Sequence, residues 1–298
     1  MADGPDIVAS PDRAPADRPT TASRVLDVVG RSLIWVGMLM LGYVGYQLWG
    51  TGLNEAREQD QLARVLESPR PPNSIPDYGD AVGRISIPSL DVDKVIVAGV
   101  DWKSLKKGPG LFPNSPLPCQ LGNVSLAGHR TTFGAPFERI NELKAGDAIT
   151  IETPTGECTY TVKGDPTIVP PTAVEILRTT DPNVGMLTLV SCHPKWTASK
   201  RIVVVAQMTP AATPQSATPF VPTSTVEPAF TGGWFHDPAG WPWVLLYGLA
   251  VALVVKWRRM MLARRYRKSF SAIVLSPFFF VSLFFFYENV ARLVPTSL

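Results

Sequence analysis

Apolar residues follow two patterns along the chain: long unbroken runs near both ends and short alternating runs between them. The long runs are residues 32–50, 241–255 and 270–287. A helix needs about 20 mostly apolar residues to cross a bilayer, and the second run reaches that length only with residues 232–240. The first run could instead be a cleaved signal peptide, although no small-x-small site follows it. The last two could form a buried helical hairpin, so the charges beside them matter.

Basic residues lie before the first long apolar run and between the last two. Residues 256–268, between the last two runs, contain seven lysines and arginines and no acidic residue. Short basic segments stay in the cytoplasm under the positive-inside rule, and four arginines precede the first run. Both observations predict three transmembrane helices, with the N-terminus inside and residues 51–233 outside the cell. A basic segment can also bind anionic lipid or nucleic acid, but here the two flanking spans already explain its charge.

The runs divide the chain into nine predicted segments. Stretches rich in Pro, Thr and Ser favour linkers over packed structure and mark several of the boundaries. The segments are a disordered cytoplasmic N-terminus (1–23), a transmembrane helix (24–50), a stalk helix and linker (51–80), an extracytoplasmic domain (81–208), a Pro/Thr-rich linker (209–231), a second transmembrane helix (232–255), a basic cytoplasmic loop (256–268), a third transmembrane helix (269–290) and an external tail (291–298).

Short runs rich in β-branched residues fill residues 81–208, separated by Gly, Pro, Asn and Asp. This pattern is typical of strands, and many short strands with little helix indicate a closed or nearly closed β-barrel. We therefore predict a mainly β fold with short helices, and transmembrane helices at both ends of the chain. The predicted strands are 83–87, 94–98, 123–127, 148–152, 158–162, 186–190 and 201–207.

Composition narrows the classes of function. The 298 residues carry a formal net charge of only +3, which does not suggest a nucleic-acid partner. Three cysteines are too few for a disulfide scaffold. Cys192 and His193 are adjacent, but no second pair supplies the remaining ligands of a zinc site. We expect neither a metal nor a cofactor.

Three chemically reactive side chains stand at the ends of predicted strands. Cys192 closes one strand, Arg201 opens the next after an eight-residue loop, and His129 follows an earlier strand. If the two later strands pair antiparallel, the thiol and the guanidinium meet at one end. Together with an imidazole, these groups can carry out acyl transfer. Spacing alone does not bring His129 to the other two.

Each of these residues also has an ordinary structural interpretation. A lone cysteine is most often a small buried hydrophobe. His129 could be a structural histidine and Arg201 a surface charge, while His193 competes with His129 as the partner of the thiol. The residue pattern alone leaves these alternatives open.

Motifs across residues 83–208 resemble the sortases, and most closely the class E sortases of Gram-positive bacteria. Ser191 stands where threonine is usual and keeps the hydroxyl, whereas Cys119 stands where glycine is usual. The two C-terminal spans are additional to the simplest sortase plan. The matching motifs are 83–88 (GRISIP), 105–110 (LKKGPG), 122–131 (GNVSLAGHRT) and 188–192 (TLVSC), the last similar to the TLxTC motif of the family.

The resemblance implies a sortase-type β-barrel that cleaves an LPXTG-like or LAXTG-like sorting signal between Thr and Gly. It makes Cys192 the nucleophile, His129 the general acid and then the base, and Arg201 a hydrogen-bond donor to the oxyanion or the substrate backbone. It implies as partners secreted proteins with a sorting signal and an amine of peptidoglycan or its precursor, while the predicted spans imply contact with membrane lipid. The substrate-binding residues stay unknown.

Three other functions remain open at this stage. An L,D-transpeptidase also uses Cys, His and Arg, but its S-x-G-C-x-R motif is absent, because Arg201 follows Cys192 by nine residues. A pilin-polymerising sortase would use a lysine of another subunit as the amine. A membrane-tethered β-domain without catalysis would only bind wall or protein partners.

The other two cysteines could form a disulfide. In an oxidising exterior the nucleophile has to stay free, which leaves Cys119 and Cys158 to pair. A bridge requires their Cα atoms to lie within about 7 Å. Either thiol could instead be buried as a small hydrophobe.

Overall fold

The computed structural model describes residues 21–68, 76–196, 199–209, 217–221, 237–264 and 268–293. Most of the predicted N-terminus, Pro/Thr-rich linker and external tail lies outside the described residues, as do residues 232–236 of the predicted second transmembrane helix and residues 265–267 of the predicted basic loop. The same holds for the proline-rich end of the predicted stalk. The chain divides into two units, Met1–Val44 and Gly45–Leu298.

One long apolar helix makes up the described part of the first unit. Helix α1 (Thr21–Gly45) buries no residue, and leucines along it are open, with Leu26 and Leu41 each 74% exposed. After Arg31 the helix is apolar on all sides, which suits burial in a bilayer. By length and composition, the helical stretch Thr21–Leu66, which contains α1, is one of three among the described residues that could cross a membrane.

A β-barrel forms the centre of the second unit. The strands are β1 (Ala81–Ile87), β2 (Val92–Ala98), β3 (Gly110–Leu111), β4 (Gly122–Ala127), β5 (Ala148–Thr153), β6 (Gly156–Val162), β7 (Thr167–Val169), β8 (Gly185–His193) and β9 (Lys200–Met208), with a short helix α3 (Trp102–Leu105) between β2 and β3. Hydrogen bonds join them in the order β6-β5-β1-β2-β3-β4-β8-β9, and β6 also pairs with β9, so these eight strands close into a barrel. The ninth strand, β7, pairs with the beginning of β9.

Inward-facing apolar side chains fill the barrel. On β8 and β9, Leu187, Leu189, Ile202 and Val204 belong to the main core and are almost completely buried. An eight-stranded barrel is just wide enough for side chains to fill it. Because side chains alternate along a strand, the intervening positions of β8 and β9 face outward.

The predicted fold class is confirmed, and each of the seven predicted strands corresponds to a strand of the barrel. The prediction missed β3 and β7, which have two and three residues. Neither is long enough to show an alternating pattern of apolar and polar residues.

A disulfide joins Cys119 to Cys158, with their Cα atoms 5.5 Å apart. It connects the loop before β4 to β6, and Cys119 N also donates a hydrogen bond to Tyr160 Oη at 3.2 Å. The linked residues are 39 positions apart, a loop whose closure stabilises a fold by about 3–4 kcal/mol in chain-entropy terms. Cys192 remains the free cysteine.

Helix α2 (Thr51–Leu66) lies against the barrel, so the segment predicted as a stalk is part of the folded domain. A π-helical turn, Tyr46–Gly50, precedes it. Strand β3 reaches only the end of β2 and leaves the backbone groups of Val95 for another partner. Gln59 on α2 accepts a hydrogen bond from Val95 N at 2.7 Å and donates one to Val95 O at 3.0 Å. Leu62 packs against the same strand.

The chain ends in two apolar helices, α4 (Trp241–Ala263) and α5 (Lys268–Ala291). The rings of Tyr247 and Phe285 stack between them with centroids 5.3 Å apart. Both helices contain a candidate membrane span. The sequence predicts a loop over residues 256–268, but α4 continues through most of it, because Lys, Arg, Met and Leu are all good helix formers.

Candidate active site

Cys192 and Arg201 lie opposite each other on neighbouring strands. β8 and β9 pair antiparallel, and Cys192 is the register partner of Arg201. The antiparallel pairing assumed from the eight-residue loop is therefore present. Val190 and Val203, two positions away on the same strands, are also partners, so all four side chains share the outer face of the barrel.

His129 reaches the same end of the sheet through a parallel pairing. β4 and β8 run parallel, and Ala127 is the register partner of Val190. The pairing continues past β4, where Gly128 N donates a hydrogen bond to Val190 O at 3.1 Å. Counting two residues on from Ala127 and from Val190 in the same direction places His129 level with Cys192. The thiol, the imidazole and the guanidinium thus belong to adjacent positions on one rim.

Two buried hydroxyl groups hold β8 and β4 in this register. Thr188 Oγ1 donates to Asn123 Oδ1 at 2.8 Å, and Ser191 Oγ donates to Gly128 O at 2.8 Å. A buried hydroxyl is costly unless it is hydrogen-bonded, so both bonds favour this register over a shifted one. Ser191 therefore supplies the hydroxyl that its position requires, although threonine is the usual residue there.

Arg130 is a candidate that the sequence interpretation passed over. Its Nη1 donates to Cys192 O at 3.1 Å and lies 2.9 Å from His193 Nδ1, while Nη2 donates to Asn141 Oδ1 at 2.8 Å. Arginine is always a donor, so His193 Nδ1 accepts and the His193 ring is neutral in this contact. Arg130 thus holds the backbone of Cys192 and engages His193, the histidine that competes with His129 as the partner of the thiol.

The signal for Arg130 in the sequence is weak. It directly follows His129 in the strand-end motif, as a solvent-facing charge also could. Only the fold shows that Arg130 is 5% exposed, and arginine is almost never buried without partners.

Burial sets the ionisation of the reactive pair. Burial, together with the positive charge of Lys106, lowers the pKa of His129 to about 4. Burial raises the pKa of the Cys192 thiol above its usual value, and the charges of Arg201 and Arg130 partly oppose that rise. Because the pKa of the imidazole is below that of the thiol, both groups are mostly neutral at pH 7. The thiolate–imidazolium pair is the minor form.

Aromatic and cationic side chains surround the imidazole. The rings of His129 and Phe133 have centroids 5.1 Å apart. Lys106 Nζ lies 5.3 Å from the centroid of Phe133 and 4.3 Å from that of Trp102. Burial is the main cause that lowers the pKa of Lys106 to about 8. The histidine therefore sits in a largely desolvated setting that disfavours a second positive charge.

An apolar groove of about 430 Å³ begins beside Arg201. Phe112, Val169, Ile176 and Val190 line it among other apolar and proline residues. A concave, mostly apolar surface with a few polar groups is typical of a ligand site. Within the described part of the chain, no three His, Cys, Asp or Glu side chains are grouped as metal ligands.

Known proteins place this arrangement in a family. A model described as "Sortase domain" matches residues 85–209. Sortase D of Bacillus subtilis (strain 168) is 30% identical over 151 residues, which cover 45% of this chain and 74% of that protein. The chain belongs to the sortase family. Within the family, sortase SrtE1 of Streptomyces coelicolor is 32% identical to this chain over 215 residues. The match covers 66% of this chain and 60% of the length of SrtE1.

Class E is the class to which this sortase is most similar. Sortase SrtE2 of Streptomyces coelicolor is 27% identical over 213 residues, which cover 83% of that protein. A solved structure of sortase E from Streptomyces avermitilis is 31% identical and covers 48% of this chain and 92% of that one, with a TM-score of 0.41. The two Streptomyces coelicolor relatives, SrtE1 and SrtE2, confirm the resemblance to class E sortases that the motifs indicate.

Proposed function

We propose that this sortase is a membrane-anchored cysteine transpeptidase, which cleaves a C-terminal sorting signal from secreted proteins and joins them to a cell-wall amine. The main support is the strand register that aligns His129, Cys192 and Arg201 at one rim of the barrel. The apolar groove beside Arg201 suits an extended peptide of the LPXTG or LAXTG type. Family membership supports transpeptidation as the class of reaction.

The first half of the proposed reaction transfers an acyl group to sulfur. The Cys192 thiolate attacks the carbonyl carbon between Thr and Gly of the signal. The C–N bond breaks as protonated His129 gives its proton to the departing glycine amine. A thioester on Cys192 and a neutral imidazole remain. The positive charges of Arg201 and Arg130 favour the thiolate that begins this step.

The second half transfers the acyl group to an amine. The incoming amine attacks the thioester carbon, and neutral His129 accepts its proton. The C–S bond then breaks and regenerates the thiolate beside the imidazolium. Arg201, directly opposite Cys192 on the neighbouring strand, is our candidate for the donor that stabilises the oxyanion in both halves.

The proposed orientation places the barrel outside the cell. Its support is the basic stretch 256–268, which covers the end of α4 and the residues up to the start of α5 and which the positive-inside rule assigns to the cytoplasm. A pilin-polymerising sortase would share every residue of the site and differ only in the amine. A barrel that binds without catalysis would not need the thiol.

Four single substitutions test the roles, using the full-length protein with a sorting-signal peptide and an amine acceptor. Cys192→Ala should abolish cleavage, His129→Ala should be nearly as severe, and Arg201→Ala should cost about 10²–10³ in rate, as for loss of one oxyanion donor. His193→Ala is the matched control and should matter much less, because Arg130 engages that ring. Loss of activity in His193→Ala with His129→Ala active would overturn the assignment of the base.

A further inference from the structure

One face of α2 contacts the loop that follows the histidine. Thr51, Glu55 and Gln59 are spaced four residues apart, which puts them on the same side of a helix. Thr51 is completely buried, and its Oγ1 accepts a hydrogen bond from Phe133 N at 3.0 Å. Glu55 is 1% exposed and lies under the next loop residue, Gly134. A Cβ at Gly134 would come within 2.6 Å of Glu55 Cδ.

The contacted loop has an uncommon backbone. Phe133, Gly134 and Ala135 have φ of +50°, +69° and +40°. Residues with a side chain avoid this left-handed region because Cβ crowds the backbone, and such conformations persist where surrounding structure imposes them. Ala135 N bonds within the loop to Thr132 O at 3.0 Å. The bond to Phe133 N comes from α2.

The same loop packs on the imidazole. The Phe133 ring lies against His129, with centroids 5.1 Å apart. At the far end of the loop, Phe137 N donates to His129 O at 3.1 Å. The position of the loop therefore fixes both the covering of the ring and the backbone of His129.

Helix α2 is itself fixed to the barrel. Glu55 forms an ion pair with Lys94 of β2, at 2.7 Å. One turn further on, Gln59 bonds the backbone of Val95 and also donates to Lys107 O at 2.7 Å. Through these contacts and the bond from Phe133 N to Thr51, helix α2 connects β2 to the Phe133–Ala135 loop.

We infer that Thr51 and Glu55 are positioning residues for His129, which they hold in place through the Phe133–Ala135 loop. The catalytic role of His129 in this inference rests on the proposed function, whereas the contacts of Thr51 and Glu55 with the loop do not depend on it. It assigns α2 a task in the reaction beyond linking the barrel to the membrane.

Two variants of the full-length protein in detergent test this, each with a matched control. Thr51→Val keeps the size and branching of the side chain but removes the hydroxyl that accepts the hydrogen bond from Phe133 N. The control Thr51→Ser keeps that hydroxyl. Glu55→Gln removes the charge paired with Lys94, and Asp60→Asn makes the same chemical change at an exposed position of α2. Both test variants should lower kcat for the sorting-signal peptide by about five- to tenfold, the effect of one lost hydrogen bond, with KM changed less than about twofold.

A second readout does not depend on turnover. Diethylpyrocarbonate modification of His129, measured by peptide mass spectrometry, should accelerate about threefold or more in Thr51→Val and Glu55→Gln, because the ring becomes more open. His193 serves as the internal reference. Thr51→Ser and Asp60→Asn should match the wild-type protein in both readouts.

Unchanged modification of His129 in both test variants would overturn the inference, whatever happens to kcat. Faster modification with lower kcat supports it. If the wild-type protein turns over no sorting-signal peptide, the proposed function is overturned. Faster modification of His129 in the two test variants would in that case still support the positioning contact.

Discussion

Two protons decide whether the reactive pair at the rim can act, one on Cys192 and one on His129. Burial pushes the two pKa values apart in the direction that favours neutral groups. Between the two pKa values the share of thiolate–imidazolium pair is small and nearly independent of pH. In the proposed mechanism the reaction therefore proceeds through a minor form, and the positive charges of Arg201 and Arg130 raise its share.

Alkylation of Cys192 by iodoacetamide should accelerate steadily from about pH 6 to pH 9 in the full-length protein. The thiolate is the reactive form, and below a raised thiol pKa its share grows about tenfold per pH unit. Mass spectrometry of the Cys192 peptide measures the rate. In Arg201→Gln the curve should shift to higher pH, because that charge opposes the rise in pKa. A plateau in rate between about pH 6 and pH 8 would show instead that the ion pair predominates.

At the scale of elements, strands with several alternating positions could be predicted from the sequence. The strand that begins at Arg201 shows a β-branched run, residues 202–205, and the eight-residue loop before it allows antiparallel pairing with the strand of Cys192. The short strands β3 and β7 carry no such pattern. They are defined by partners elsewhere in the chain, which no local window contains.

The position of His129 could not be predicted, for a related reason. It depends on β4 lying parallel to β8, and the hydroxyl contact that fixes this register joins residues 63 positions apart. The packing of α2 is similar, because it depends on Gln59 meeting backbone groups of Val95 that a short β3 leaves open. The sequence therefore predicts the three reactive residues and the condition under which Cys192 meets Arg201, but not the meeting of His129 with them or the contacts of Arg130.

At the scale of the whole molecule, orientation in the membrane can be measured with single cysteines. In a Cys192→Ala background, Asn183→Cys on an exposed loop of the barrel should react with a membrane-impermeant maleimide on intact, wall-stripped cells. Met260→Cys, within the basic stretch after the second span, should react only after the cells are permeabilised. The reverse pattern would contradict an external barrel and remove its access to secreted substrates.

The central claim is that Cys192 carries the acyl group of the sorting signal during the reaction. Incubation of the full-length protein with a sorting-signal peptide and no amine acceptor, followed by acid quench and peptide mass spectrometry, tests it directly. We predict that Cys192 gains the mass of the peptide up to and including its threonine, as a thioester that hydroxylamine releases. An adduct on another residue, or cleavage between Thr and Gly that persists in Cys192→Ala, would contradict the account.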